Sequence, residues 1–326
     1  MPLSTSIVLC TYNGARFLEA QWDSLLAQSR LPDEIVVRDD GSSDGTWALL
    51  DALSARAAAR GVRVRRARNP RNLGYVANFE AALRDASGDV LFLCDQDDVW
   101  HAEKLAASVA AFEQRSGLLL SCSDARRIGE GGEVLRRSLF DVLKVSRAEL
   151  RRVHAGLGFR VLLRRSLATG ATVALRQTLL EHALPFPAGW VHDEWLAIMA
   201  AALGGFDCVE RTLVDYRQHA GNQLGMSERT FAARWRGLLI PAPESMEALA
   251  ARDRVLRERL GLLNGYVDAS DLARVDEKLR HLEARAALRG PLWRRAGGVL
   301  RETVSGRYVR YAAGWRSALR DLLRDG

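Results

Sequence analysis

The chain predicts an α/β fold built on a doubly wound, mostly parallel sheet, with a helical extension behind it. Three observations carry that expectation. Apolar, strand-length runs alternate with helix-length amphipathic segments through the first 125 residues. Polar turns rich in Asp, Asn and Gly follow the first, second and fourth of those runs, at the strand ends where such sheets bind their ligands. From Ser227 onward the apolar residues recur at helical spacings of three and four.

Taken in order, a first strand is expected over Thr5 to Cys10 and a helix over Ala15 to Gln28. Glu34 to Arg38 is followed by a helix from Gly45 to Ala59, and Val62 to Ala67 by one from Val76 to Ala86. Val90 to Cys94 precedes a helix from Glu103 to Gln114, and Leu118 to Cys122 closes the series. Strands separated by a helix need a crossover connection, which makes their pairing parallel. A later helix is expected over Glu194 to Leu203. The tail reads as helices over Phe231 to Ile240, Met246 to Leu263 and Leu272 to Leu288, with a break at Gly290-Pro291.

The 326 residues are 48% apolar and 27% charged, an ordinary composition for a chain with a substantial core. No apolar run approaches the roughly 18 residues of a membrane span. Leu3 to Cys10 reads as a strand rather than a signal core, so a cytoplasmic protein is expected. Cys10, Cys94, Cys122 and Cys208 have no paired ligand spacing and sit in or beside apolar runs, which predicts buried free thiols. The net charge of +7 belongs to the tail: Glu228 to Gly326 holds 20 Lys and Arg against 13 Asp and Glu. No interleaving of aromatic and basic residues and no nucleic-acid-binding signature accompanies it, so nucleic acid is not the expected partner.

The most informative segment is Leu91-Phe92-Leu93-Cys94-Asp95-Gln96-Asp97-Asp98-Val99-Trp100. Crowding carboxylates at the end of a buried strand is costly unless a cation or polar ligand compensates them. Oxygen ligation of this kind suits Mg2+ or Mn2+ with diphosphate oxygens completing the shell. The structural alternative is an acidic turn capping the helix that starts near Ala102. The turn Asp39-Asp40-Gly41-Ser42-Ser43-Asp44-Gly45 also opens on two carboxylates. These would repel a phosphate yet can accept hydrogen bonds from a base imide or a ribose hydroxyl, which places a nucleoside near Thr11, Asp39 and Asp40. The alternative there is that Asp40, Ser42 and Ser43 cap the following helix. Neither a Gly-x-Gly-x-x-Gly after the first strand nor a Gly-Lys-Ser/Thr loop is present, which argues against a dinucleotide oxidoreductase or P-loop phosphotransferase.

These residues resemble the glycosyltransferases of family 2, which have the nucleotide-binding α/β fold called GT-A. Ser6-Ile7-Val8-Leu9-Cys10-Thr11-Tyr12-Asn13-Gly14 is similar to the family's opening strand and turn. Val37 to Thr46 is similar to its second turn, Asn69-Pro70-Arg71-Asn72-Leu73-Gly74 to its third, and Asp95-Gln96-Asp97 to its Asp-x-Asp metal motif. The resemblance implies that Asp39 reads a pyrimidine base, that Asp95 approaches the ribose or diphosphate, and that Asp97 is the principal metal ligand. Thr11, Tyr12, Asn13, Asp40, Asn72, Gly74, Asn78 and Gln96 are the further nucleotide-pocket residues it implies; for Asn72, Gly74 and Asn78 the alternative is that they terminate and cap elements.

The later part resembles the bacterial rhamnosyltransferase-like branch. Leu167-Ala168-Thr169-Gly170-Ala171-Thr172 is similar to a small-residue segment beneath sugar and acceptor, which assigns Thr169, Gly170 and Ala171 to that role. Trp190-Val191-His192-Asp193-Glu194-Trp195 is similar to the motif that carries the catalytic base, with His192 and Trp195 beside sugar or acceptor. Tyr216-Arg217-Gln218-His219-Ala220-Gly221-Asn222-Gln223 is similar to a loop that folds over the donor. Inverting transfer needs one carboxylate to take the acceptor proton and a metal to stabilise the leaving diphosphate. Asp193 is the expected base, with His192 and Glu194 as alternatives and a helix N-cap as its structural alternative. Arg217 and His219 are expected at the diphosphate, His219 as a second metal ligand; a hydrogen-bonded loop histidine is the alternative.

The resemblance thus implies a catalytic domain over residues 1–226, with a nucleotide-binding half (1–125) and an acceptor and base half (126–226), and a basic helical extension over 227–326. It implies an inverting, metal-dependent transferase that takes a sugar from a dTDP or UDP donor, such as dTDP-L-rhamnose, to a cell-surface glycan or lipid-linked acceptor. A sugar nucleotidyltransferase is the competing enzyme class and a non-catalytic carbohydrate-binding protein the competing non-enzyme. From Arg289 to Arg324, nine arginines interleave with Leu, Trp, Val and Tyr. That basic amphipathic stretch fits either the inner face of the plasma membrane or a packed interface, with the catalytic domain or a second copy.

Overall fold

The computed structural model describes residues 2–219, 243–263 and 265–323. The expected segment Phe231 to Ile240 and the residues Ala220 to Gln223 lie outside these. Along the chain run β1 (Thr5–Thr11), α1 (Ala15–Leu26), β2 (Glu34–Asp39), α2 (Thr46–Ala58), β3 (Arg63–Arg68), α3 (Tyr75–Asp85) and β4 (Val90–Asp95). Then come β5 (Val99–Trp100), α4 (Lys104–Gln114), β6 (Leu120–Ile128), α5 (Leu139–Leu143), α6 (Arg147–Arg152), α7 (Gly158–Leu162), β7 (Val173–Arg176), α8 (Leu180–Ala183), α9 (His192–Ala202) and β8 (Phe206–Arg217). Among the described residues five more helices follow: α10 (Pro243–Leu262), α11 (Ala269–Ala286), α12 (Leu292–Val304), α13 (Arg307–Tyr311) and α14 (Trp315–Leu323).

The strands form one eight-stranded sheet in the order β3-β2-β1-β4-β7-β6-β8-β5. β1 to β4 pair in parallel, as the alternation predicts. β7 enters antiparallel between β4 and β6, and β5 pairs antiparallel with the end of β8. Alternate residues of the central strands feed different layers, because side chains in a strand alternate faces. Ile7 and Leu9 of β1 and Val90, Phe92 and Cys94 of β4 pack with α1, α2 and α4. Val8, Cys10, Leu91 and Leu93 pack on the other face with α3 and α9. Both faces of β1 are therefore covered and all seven of its residues are buried. β3 forms one edge of the sheet, and its four arginines give that edge the charged character that discourages further pairing.

The C-terminal helices do not stand apart from this core. Leu256, Leu260, Val275 and Tyr311 join the larger apolar cluster beside α9. Arg252 lies 3.8 Å over the ring of Trp190 and pairs with Glu194 at 2.9 Å, so α10 braces the first turn of α9. All four cysteines are free and buried.

Candidate active site

The carboxyl ends of β1, β2 and β4 open onto a cleft of about 380 Å³, within the usual size of a small-molecule site. It is lined by Thr11, Tyr12, Asn13, Asp40, Asn72, Gly74 and Asn78 on the side of β1 and β2, and by Asp95, Gln96 and Asp97 after β4. Thr169, Gly170, His192 and Asp193 face it from the second half of the chain, and Tyr216 and His219 from β8 and beyond. Segments just over two hundred residues apart thus share one cavity.

On the nucleoside side the polar groups are paired with one another. Asp39 is fully buried and takes hydrogen bonds from Thr11 Oγ1 (2.9 Å), Ser42 Oγ (2.5 Å) and the Ser42 N–H (3.0 Å). It lies one layer behind the cleft wall. Asp40 accepts from Asn69 Nδ2 (2.7 Å) and from the N–H groups of Leu73 (2.8 Å) and Gly74 (2.9 Å), so it fixes the loop that carries Asn72. Gly74 has a φ of 85°, which a side chain would strain. Asn78 donates to the Arg38 carbonyl at 3.0 Å and accepts from Asn69 at 2.8 Å. The capping expected of Asp40, Ser42 and Ser43 falls instead to Asp44, whose carboxylate accepts from the N–H groups of Thr46 (2.9 Å) and Ala15 (3.1 Å). Gln96 clasps the main chain of Tyr12, accepting its N–H at 2.7 Å and donating to its carbonyl at 2.9 Å. Gln96 crosses directly over Gly14, where an added Cβ would fall 2.1 Å from its Oε1.

The acidic turn after β4 is built differently. Burial and then repulsion from Asp97 and Asp193 push the Asp95 carboxyl up to about 7, against the pull of Lys104. Asp98 is driven up by burial and by Asp97 and Asp95. One of its oxygens accepts the Arg217 N–H at 2.9 Å; the other, Oδ2, has no partner among the described residues. Asp97 Oδ2 lies 2.7 Å from His219 Nε2. Arg217 stays in the floor: its guanidinium donates to the main-chain carbonyls of Asp97 (2.7 Å) and Glu130 (3.1 Å), holding the turn in shape. Lys104, which the sequence does not flag, is buried beneath the turn with its Nζ on the Ala171 carbonyl at 2.5 Å, and burial lowers it to about 7.

Asp193 reaches this turn from α9. That helix begins two residues earlier than expected, at His192, which places Asp193 in its first turn rather than at the N-cap. Its carboxylate accepts the Gly170 N–H at 2.8 Å and the Glu194 N–H at 2.7 Å, which orients it. A Cβ added at Gly170 would sit 3.3 Å from His192 Nε2, 3.7 Å from Asp193 Oδ2 and 3.9 Å from Asp95 Oδ2, so the two carboxylates flank one point. His192 stacks on Phe79 (4.2 Å between centroids), is held uncharged by burial at about 3, and has both ring nitrogens without a partner among the described residues. Trp195 is two residues beyond Asp193, about 200° around the helix; it is fully buried, and its Nε1 donates to the Ala183 carbonyl at 2.8 Å. Ala171 is likewise in the core. Neither lines the cleft. Tyr75 and Phe79 do, although nothing in their α3 segment sets them apart from packing residues.

Among the described residues no three His, Cys, Asp or Glu side chains converge as a closed metal cage. Asp97 and His219 offer one oxygen and one nitrogen donor to the cleft, while Asp98, behind them, does not line it. That set fits a hard divalent cation completed by substrate diphosphate, the usual mode for Mg2+.

The sequence model of the family described as Glycosyl transferase family 2 matches residues 6–174, just over half of the chain. An uncharacterized glycosyltransferase of a Nostoc species is 33% identical over 111 residues, 34% of this chain and 33% of that protein. A UDP-Glc:alpha-D-GlcNAc-diphosphoundecaprenol beta-1,3-glucosyltransferase of Escherichia coli is 30% identical over 106 residues, 32% of this chain and 39% of that protein. The chain thus matches well under half the length of these relatives. A mannosyltransferase of Pyrobaculum calidifontis, solved with GDP-Man and Mn2+, superposes with a TM-score of 0.53 at 17% identity, covering 99% of this chain and 88% of that one. That likeness gives the fold, a GT-A fold with helices appended. The chain belongs to glycosyl transferase family 2.

Proposed function

We propose that this protein is an inverting, metal-dependent glycosyltransferase that moves a sugar from a nucleoside diphosphate to an acceptor hydroxyl, with Asp193 as the base. The observation that carries the proposal is the meeting of Asp193 and Asp95 on either side of Gly170, at the edge of the Asp97–His219 pair. A site that only bound carbohydrate would gain nothing from keeping these carboxylates crowded in one buried floor.

Each part of the reaction has a group to serve it. The nucleoside rests against Thr11, Asp40, Asn72 and Asn78, with Asp39 behind them holding Thr11 and Ser42 in place. Asp97 and His219 would hold Mg2+ or Mn2+, which supplies positive charge to the leaving diphosphate. The acceptor hydroxyl attacks the anomeric carbon from the face opposite the diphosphate while Asp193 takes its proton; the glycosidic bond to phosphate breaks and its electron pair leaves with the nucleoside diphosphate. His192, uncharged, with ring nitrogens unpartnered among the described residues and Nε2 beside Gly170, can hydrogen-bond a hydroxyl of sugar or acceptor. In this assignment residues 1–226 form the catalytic domain and 227–326 its basic helical extension.

For the donor we favour a pyrimidine nucleotide, with dTDP-L-rhamnose as the first candidate from the sequence resemblance. UDP-glucose is the alternative, as the donor in the name of the Escherichia coli relative. That relative's diphosphoundecaprenol acceptor supports a lipid-linked or cell-surface glycan acceptor here. A screen of dTDP-L-rhamnose, UDP-glucose, UDP-GlcNAc and GDP-mannose for slow, Mn2+-stimulated hydrolysis tests the proposal. Turnover of one of them that Asp193→Asn abolishes is expected; turnover unaffected by that substitution would remove Asp193 as the base.

A further inference from the structure

The last three helices turn one kind of surface outward. Leu292 to Leu323 contains two carboxylates, and both are inside. Glu302 lies 2.7 Å from His281 Nδ1 and pairs with Arg307 at 3.0 Å, while Asp321 accepts from Arg285 Nε (2.6 Å) and the Tyr308 hydroxyl (2.8 Å). What remains outside, Thr303 apart, is apolar or cationic. On α12, Trp293, Leu300 and Val304 are 70%, 64% and 79% exposed; on α14, Trp315, Leu319 and Leu323 are 69%, 45% and 64% exposed. Spacings of seven and four in the first helix, and four and four in the second, gather each trio into one stripe. Exposed arginines border both stripes. Arg294 lies over the ring of Trp293 at 4.9 Å and Arg316 over that of Trp315 at 5.7 Å, while Arg301 follows Leu300. None of these three meets a carboxylate among the described residues.

We infer that this face docks on the surface of an anionic lipid bilayer. Its charge is of one sign because the fold has drawn every described acid of the segment inward, and that sign complements acidic headgroups. Exposed tryptophans suit the headgroup boundary, where one part of the ring is apolar and the other wet. A second copy of the chain fits the surface poorly, since a two-fold contact sets a patch against itself and would bring arginine to arginine. Contact is peripheral: among the described residues no helix is long and apolar enough to cross a membrane. The inference stands on the C-terminal helices alone and does not depend on the transferase proposal.

Sedimentation of the full chain with vesicles tests it. The protein should pellet with phosphatidylcholine vesicles that contain phosphatidylglycerol and stay in solution with phosphatidylcholine alone, and high salt should release it. Trp293→Ala with Trp315→Ala should lower partition by at least about tenfold, and Arg294→Glu with Arg301→Glu by a similar factor. All four positions are exposed, and far-UV circular dichroism checks that each variant is folded. Quenching of wild-type tryptophan fluorescence by brominated phosphatidylglycerol reports the same docking without any substitution. No partition onto anionic vesicles, equal partition onto neutral ones, or a dimer that Trp293→Ala dissociates would each overturn the inference.

Discussion

Asp39 and Asp40 end β2, and Asp95, Asp97 and Asp98 follow β4, so two acidic groups flank the central strand β1 on opposite sides. They are built in opposite ways. Every carboxylate oxygen of the first pair takes a donor from the protein: a serine, a threonine, an asparagine or a loop N–H. In the second group Asp98 Oδ2 is buried without a partner, and Asp95 is raised by burial and by its acidic neighbours. The first pair holds its loops whether or not a ligand is bound. The second stores an electrostatic demand that a cation and a diphosphate would meet, and such demands gather at functional sites rather than at structural ones.

The largest expected effect lies at the proposed base, Asp193, which faces the second group across Gly170. Asp193→Asn should lower the rate of transfer by roughly 10³-fold, within the range for general bases, while nucleotide affinity by calorimetry stays at the wild-type value. A parallel loss of nucleotide binding would move Asp193 from chemistry to structure. Next comes the satisfied side. Asp40→Ala strips acceptors from Asn69, Leu73 and Gly74, and should cost about 2–4 kcal/mol in urea unfolding without ligand, because buried donors are left unpaired. His219→Ala removes one of two expected donors and should weaken Mn2+ dependence of nucleotide binding by at least about tenfold, with unfolding unchanged. Smallest is Asp98→Asn. Its amide keeps an acceptor for the Arg217 N–H and loses a crowded charge, so stability should change by less than about 1 kcal/mol or rise. If Asp98→Asn destabilised the protein as much as Asp40→Ala, the contrast between the two groups would collapse.

Much of this was legible in the sequence, for identifiable reasons. The alternation of strand-length and amphipathic segments gave β1 to β4 and their helices with shifts of a residue or two, because β1, β2 and β4 are buried and read as apolar runs, while the arginine-rich edge strand β3 was placed by its position in the alternation. β7 was not legible: its four residues are short, and its antiparallel insertion depends on neighbours far away in the chain. Likewise the expected strand Leu118 to Cys122 runs on to Ile128 through polar residues that pair with β8. At the site, the family resemblance placed Asp95, Asp97, Asp193 and His219 in one cleft, but it could not tell which way neighbouring side chains point. Trp195 and Ala171 face the core because helix rotation and strand packing turn them there. Arg217 is engaged by the carbonyls of Asp97 and Glu130. Lys104 gave no signal, since a lysine opening a helix is ordinarily exposed and this one is buried by the turn above it.

The central claim is that the turn after β4 is a metal and diphosphate site. Calorimetric titration of dTDP and UDP with and without Mn2+, on the wild type and on Asp97→Ala, tests it most directly. Mn2+ should tighten binding of at least one nucleotide to the wild type, and Asp97→Ala should remove that gain while leaving the metal-free affinity in place. If neither nucleotide gains from Mn2+ on the wild type, or the variant keeps the full gain, the claim is contradicted.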